Sequence, residues 1–193
     1  MTDRSPPEAT EGQGLAGLQA LVERAERAGR GVPPVERWDP DHCGHSDMTI
    51  RADGTWIHAG TPIGRKRLVQ LFSTVLRKDD DGETYLVTPV EKLAIEVEDA
   101  PFLAVEMTAS GEGDGRVLTF RTNVGDVVEA GPEHPIRFER EEGTDGVKPY
   151  VLVRGRLEAL VTRAVMYDLV ELAGDEGGQL VVRSNGAAFP LDA

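Results

Sequence analysis

Residues 83–110 read ETYLVTPVEKLAIEVEDAPFLAVEMTAS, and their apolar side chains recur every second position, in Tyr85-Leu86-Val87, in Leu93, Ile95 and Val97, and again from Phe102 to Thr108. A period of two is that of a β-strand with one buried face. The pattern continues through Val117–Phe120, Ile136–Phe138 and Tyr150–Val153, with Gly111-Glu112-Gly113-Asp114-Gly115 as a hairpin loop between two of the runs. Many strands with few helices argue against a βαβ parallel fold and for an α+β protein with mostly antiparallel sheet.

Upstream, Met48 and Ile50 alternate with polar residues, Asp53-Gly54 supplies turn chemistry, and Trp56-Ile57 leads a second extended run, which predicts a β-hairpin. After the break at Gly60-Thr61-Pro62, Leu68, Leu71, Phe72, Val75 and Leu76 follow i, i+3, i+4, i+7, i+8 spacing, predicting an amphipathic helix that Asp79-Asp80-Asp81-Gly82 closes. Downstream, residues 157–172 are apolar around most of a helical circumference, predicting a last helix buried more deeply than the one at residues 68–76, with Asp168 on its apolar face implying a buried Arg partner or a perturbed pKa. Two short strands then flank Asn185-Gly186, a type I′ turn signal. At the other end, residues 1–14 lack apolar periodicity and are expected to be a disordered tail. Leu15, Leu18, Val22 and Ala25 predict a short amphipathic helix before Gly29, Gly31 and Pro33-Pro34.

Gly64-Arg65 opens a predicted helix that ends in an acidic, Gly-containing turn and a strand; Gly155-Arg156 does the same before Asp175-Glu176-Gly177-Gly178. The chain is therefore expected to comprise a tail (residues 1–14), an N-terminal α+β unit (residues 15–98) and a related C-terminal unit (residues 99–193), a duplication.

Thirty-four acidic against 21 basic residues give a formal charge of −13, which repels phosphate backbones and anionic lipid everywhere but at a local basic patch. Nucleic-acid and membrane partners are not expected. The single cysteine, Cys43, has no intramolecular partner, and the start of the chain has no apolar signal-peptide core, so the cytoplasm is expected. Walker, nucleophile-elbow, zincin, CxxC and EF-hand motifs are all missing from the sequence.

Several constellations remain. Arg65-Lys66-Arg67 places three cations in the first turn of a helix, the end where the macrodipole disfavours them, and together with free backbone N–H groups they suit a phosphate or carboxylate. The alternative is pairing with nearby carboxylates. Arg154 and Arg156 flank Gly155 at the second entry, and Arg121 ends a strand. Thr88-Pro89-Val90-Glu91-Lys92 offers a hydroxyl, a carboxylate and a lysine able to bind phosphate or, if desolvated, to act as a base; its plainer reading is a strand junction with a solvated ion pair. Asp41-His42-Cys43-Gly44-His45-Ser46-Asp47 holds ligand-type side chains, but without the two separated pairs of a structural zinc site.

The blocks DMTIRADGTWIHAGTPIGRKRLVQLFSTVLR (residues 47–77), YLVTPVEKLAIEVEDAPF (85–102), PYVLVRGRLEALVTRAVMYDLVE (149–171) and SNGAAFPL (184–191) resemble the bacterial family Domain of Unknown Function 1285. The resemblance implies a duplicated α+β core, a C-terminal half like a pleckstrin-homology barrel with a terminal helix, and a cleft between the halves for a nucleotide-like molecule, in a signalling role. No activity is attached to the family. Transferred block by block, it implies Arg65, Arg67, Thr88, Lys92 and Arg154 as ligand-binding residues, with no assigned cofactor or metal. His45 stands where the family's Cys-Gly block implies an acidic residue. The expected function is a non-catalytic binding protein for an anionic ligand. The rivals are an enzyme on phosphate or acyl groups using Glu91, Asp168 or Cys43, and a protein-interaction module docking through residues 15–28 or the barrel-like half.

Overall fold

The structure is a computed structural model, and it describes residues 32–141, 143 and 146–191. The tail at residues 1–14 and the helix expected at residues 15–28 lie outside the described residues. After a 3-10 turn at Val35–Arg37, the strands β1 (His42–Ile50), β2 (Trp56–His58) and β3 (Thr61–Pro62) precede helix α1 (Lys66–Ser73), and β4 (Leu76–Lys78), β5 (Thr84–Val87) and β6 (Glu91–Val97) follow it. The second half contains β7 (Phe102–Ser110), β8 (Val117–Thr122), β9 (Val127–Glu129), β10 (Ile136–Arg140), β11 (Val147–Arg154), β12 (Leu157–Val161) and helix α2 (Arg163–Glu171). A small meander of β13 (Gly174–Glu176), β14 (Gln179–Ser184) and β15 (Ala187–Pro190) ends the chain.

The first six strands form a sheet in the order 3-2-1-6-5-4, and the next six form one in the order 9-8-7-12-11-10. The two orders are one topology. In each sheet the first and last strands lie side by side and parallel, β1 with β6 and β7 with β12, and each carries a three-stranded antiparallel meander outward. The protein therefore consists of two α+β units built on one plan, with mostly antiparallel pairing, as the strand-rich sequence predicts. The repeat does not run through the helix starts, however. Helix α1 connects the two meanders of the first sheet, whereas α2 follows the second sheet and packs against β7.

Two boundaries differ from the sequence expectation. Helix α1 stops at Ser73, where the Ser73 and Thr74 hydroxyls donate back to the Gln70 and Leu71 carbonyls (2.7 Å each), and Leu76 begins β4. Such side-chain bonds compete with the helical ladder. Asp79–Gly82 therefore closes the β4–β5 hairpin, with the Gly82 N–H on the Asp79 carbonyl, and does not close a helix. Likewise, residues 157–161 form β12: Leu157, Ala159 and Val161 are buried in alternation, a period of two that a short helical window also accommodates. Gly155-Arg156 is thus the β11–β12 turn. Helix α2 is also shallower than expected, burying Val165 and Leu169 while Tyr167 and Val170 face solvent, and Asp168 is exposed and needs no buried partner.

The turn signals hold. Asn185 and Gly186 both have positive φ (48° and 74°), the backbone of a type I′ turn, and Asp53-Gly54 joins β1 to β2. One continuous apolar cluster spans both halves, from Trp56, Phe72 and Leu86 to Phe102, Phe120, Val151 and Leu169. Trp56 stacks on Phe72 at 6.5 Å, which pins α1 to the first sheet, and burying an aromatic of this size contributes about 2–3 kcal/mol. Among the described residues, no helix is long and apolar enough to cross a membrane.

Candidate functional site

Helix α1 begins on the chain's densest cationic run. Arg65 holds the N-cap in extended backbone, no side chain caps the helix, and its first turn contains no acidic residue. Arg65, Lys66 and Arg67 are all exposed, and none forms an ion pair among the described residues. Their charge opposes the macrodipole without a carboxylate to offset it.

In the same first turn, Arg67 lines a pocket of about 480 Å³ with Gln70, Leu71, Ser73 and Thr74 of α1 and with Val124, Gly125 and Asp126 of the β8–β9 turn. The pocket therefore lies on the seam between the two halves. Gln70 Nε2 donates across it to the Val124 carbonyl (3.2 Å), and the turn is locked by Asp126 N–H on Thr122 Oγ1 (3.0 Å) and Thr122 N–H on the Asp126 carbonyl (2.8 Å). Arg154, at the end of β11, is bonded to two of the pocket's residues. Its Nη1 donates to Asp126 Oδ2 (2.7 Å), its Nη2 donates to the Ser73 carbonyl at the end of α1, and its guanidinium lies over the Phe102 ring at 4.9 Å. Its Nε is buried with no hydrogen-bond partner among the described residues.

A larger cleft of about 880 Å³ also lies between the halves, formed by Glu36, Trp38 and Asp39, by residues 77–81, and by Gly155 and Arg156. Its five carboxylates outnumber its three cations, a field that repels an anion. Arg77 on its wall is 9% exposed and bonded through all three nitrogens: Nη1 donates to the carbonyls of Val35 (2.9 Å) and Trp38 (2.7 Å), and Nε and Nη2 donate to the two oxygens of Asp79 (2.5 and 3.1 Å). Lys92 Nζ also donates to Asp79 (2.9 Å) and lies over the Tyr85 ring at 4.2 Å. The bond from Arg77, aided by Lys92 and opposed by burial, holds Asp79 below the usual carboxylate range. The Asp79 bond in turn raises Lys92, which stays protonated at neutral pH and is no base. Tyr85 is pushed up to about 12, chiefly by donating to Asp81.

A family model described as domain of unknown function (DUF1285), N-terminal domain, matches residues 33–100, and the model for the DUF1285 C-terminal domain matches residues 101–191. The chain belongs to the DUF1285 family. A crystal structure of a DUF1285 family protein from Silicibacter pomeroyi DSS-3 is 44% identical, covering 91% of this chain and 94% of that one, with a TM-score of 0.83. A second, from Shewanella baltica OS155, is 27% identical over 65% of this chain and 91% of that one, with a TM-score of 0.51. No curated protein matches.

Of the residues the DUF1285 resemblance implied, the fold puts Arg67 on the pocket wall, with Arg65 two positions upstream, and ties Arg154 to two of the wall residues, Ser73 and Asp126. It does not bring Thr88 and Lys92 there. Thr88 is 1% exposed and its hydroxyl accepts from the Glu91 N–H (3.1 Å), shaping the β5–β6 turn, while Lys92 belongs to the Asp79 cluster. The block at residues 41–47 lies largely in β1, with Cys43 exposed and registered against Lys92 of β6. Among the described residues, no group of three or more His, Cys, Asp or Glu is placed to hold a metal. Glu91 and Cys43 sit on β6 and β1, whereas Asp168 is on α2 in the other half. Sequence reading missed Gln70 and Asp126. Asp126 in the β8–β9 turn carries no local signal beyond turn chemistry, and its importance lies in a partner 28 residues away.

Proposed function

We propose that this DUF1285 protein is a non-catalytic binding protein that takes an anionic, nucleotide-like ligand on the seam between its halves. Arg67 and Arg154 grip it and Arg65 stands at the rim. The observation that carries the reading is the Arg65-Lys66-Arg67 run: in a chain of net charge −13, it has no carboxylate partner among the described residues and opens onto a pocket both halves build. A cavity of this size is in the range of small-molecule sites, and guanidinium groups suit phosphate oxygens. Binding is favoured over chemistry because the pocket's hydroxyls, Ser73 and Thr74, already donate to helix carbonyls and its carboxylate is already paired with Arg154. The cytoplasmic setting, the signalling role and the pleckstrin-homology-like character of the C-terminal half belong to the same proposal.

Thermal shift with ATP, GTP, cyclic dinucleotides, NAD and pyrophosphate tests it on the wild type and on an Arg65→Ala/Arg67→Ala double variant. A ligand at 100 times its Kd stabilises by about 2.7 kcal/mol. The shift is expected in the wild type and lost in the double variant, and an equal shift in both removes this site.

A further inference from the structure

From the geometry around Arg154 we infer that Asp126 is a built-in competitor that sets which anions the seam pocket accepts; the inference rests on the binding reading above. Asp126 and Ser73 both line the pocket, and both hold Arg154: the carboxylate of Asp126 takes Nη1, and the Ser73 carbonyl takes Nη2. The Phe102 ring beneath fixes the plane of the guanidinium. One partner is neutral and belongs to α1, so releasing it loosens the junction of the halves. The other is an anion on the wall of the site, 25% exposed and bonded to Arg154 through one oxygen.

Arg154 is not itself on the pocket wall but is 21% exposed behind Asp126 and Ser73, so an incoming anion reaches it only past Asp126 and meets it already neutralised. Only a group that offers more charge and more acceptor oxygens than a carboxylate displaces Asp126 from Nη1. Doubly charged phosphates meet that demand, and monocarboxylates and halides do not. The exchange breaks one hydrogen-bonded ion pair and forms another, with Arg154 still holding the Ser73 carbonyl, so the ligand enters without dismantling the seam. Asp126 acts as a specificity-determining residue through charge competition and is not itself a ligand for the anion.

Isothermal titration with pyrophosphate, ATP and acetate, on the wild type, Asp126→Asn, Arg154→Gln and the double variant, tests this. Asn keeps the shape of Asp and its carbonyl still accepts from Arg154; Asp126→Ser is the second variant should Asn disturb the turn, with the unliganded melting curve as the check on folding. Asp126→Asn is expected to bind pyrophosphate about tenfold more tightly, the size of a common coupling between contacting groups, and to gain acetate binding. The gain is expected to vanish in the Arg154→Gln background. Wild-type binding left unchanged or weakened by Asp126→Asn overturns the competitor role alone, as does a gain that persists without Arg154. Silence of every protein towards all three probes overturns the binding reading and this inference with it, whereas wild-type binding of pyrophosphate that tightens in Asp126→Asn supports both.

Discussion

Arg77 shows how much one buried cation organises here. Its guanidinium ties β4 to the 3-10 turn through two carbonyls and to Asp79 through two oxygens, so truncation to Ala leaves those acceptors unpaired in a half-buried wall. The expected cost of Arg77→Ala is about 3 kcal/mol, read as a fall in the denaturant midpoint at constant m. Asp79→Asn makes a pH-dependent prediction. Because the folded protein holds the Asp79 pKa below its unfolded value near 3.9, its contribution is present above that value and lost as pH falls through the folded one. The wild type should exceed Asp79→Asn by about 2 kcal/mol from pH 8 to pH 5, with the gap closing below pH 4 in urea melts taken across that range. Neither role was visible in the sequence, where Arg77 closes a family block and Asp79 opens an acidic turn. The Arg65-Lys66-Arg67 run was visible because its signal is local: cations against the dipole of their own helix. Arg154 was named from the sequence, but its partners at 28 and 81 residues' separation were not.

At the level of elements, strand periodicity and turn chemistry located most strands, while the helix boundaries at Ser73 and Val161 did not follow from the pattern. Apolar spacing over four or five residues satisfies periods of both 2 and 3.6, so Leu157–Val161 became strand when burial between β7 and β11 favoured alternation. The β1–β2 turn carries a further demand. Gly54 has φ +80°, and an added Cβ would lie 2.9 Å from both Asn123 Nδ2 and Leu103 Cδ1, so this turn docks closely on the second half. Gly82 has a similar φ of +86° with nothing within 4 Å. Gly82→Ala should therefore lose about 1 kcal/mol from backbone strain alone. Gly54→Ala should lose at least about 2 kcal/mol, strain plus contact. Equal losses in thermal denaturation would show that the turn does not bear on the second half.

Across the whole molecule, the two units repeat one topology yet share one core, with Trp56 and Phe72 of the first half in the same cluster as Phe102 and Phe120 of the second. Arg154 and Gln70 add hydrogen bonds across the seam. The halves should therefore unfold together: calorimetry is expected to give a single transition whose calorimetric and van't Hoff enthalpies agree. Residues 33–100 expressed alone should lack near-UV circular dichroism, because their share of the core loses its other wall. Two resolved transitions, or an independently folded 33–100 fragment, would mean that the seam is a contact between finished domains. In that case ligand binding there would be read as a hinge effect.

What the amino-acid sequence determined by itself is what neighbouring residues can express: strand and helix periods, the Asp53-Gly54 and Asn185-Gly186 turns, the cationic start of α1, and enough ordered blocks to mark the family. Each depends on backbone geometry or charge within a few residues. Only the tertiary structure decided that β1 lies parallel to β6 and β7 to β12, and that Arg154 spans from Asp126 to the end of α1. It also decided that one seam is cationic at Arg67 while the larger cleft is acidic. Those outcomes depend on which distant surfaces exclude water together. Burial and long-range hydrogen bonding set them, and no local period encodes either.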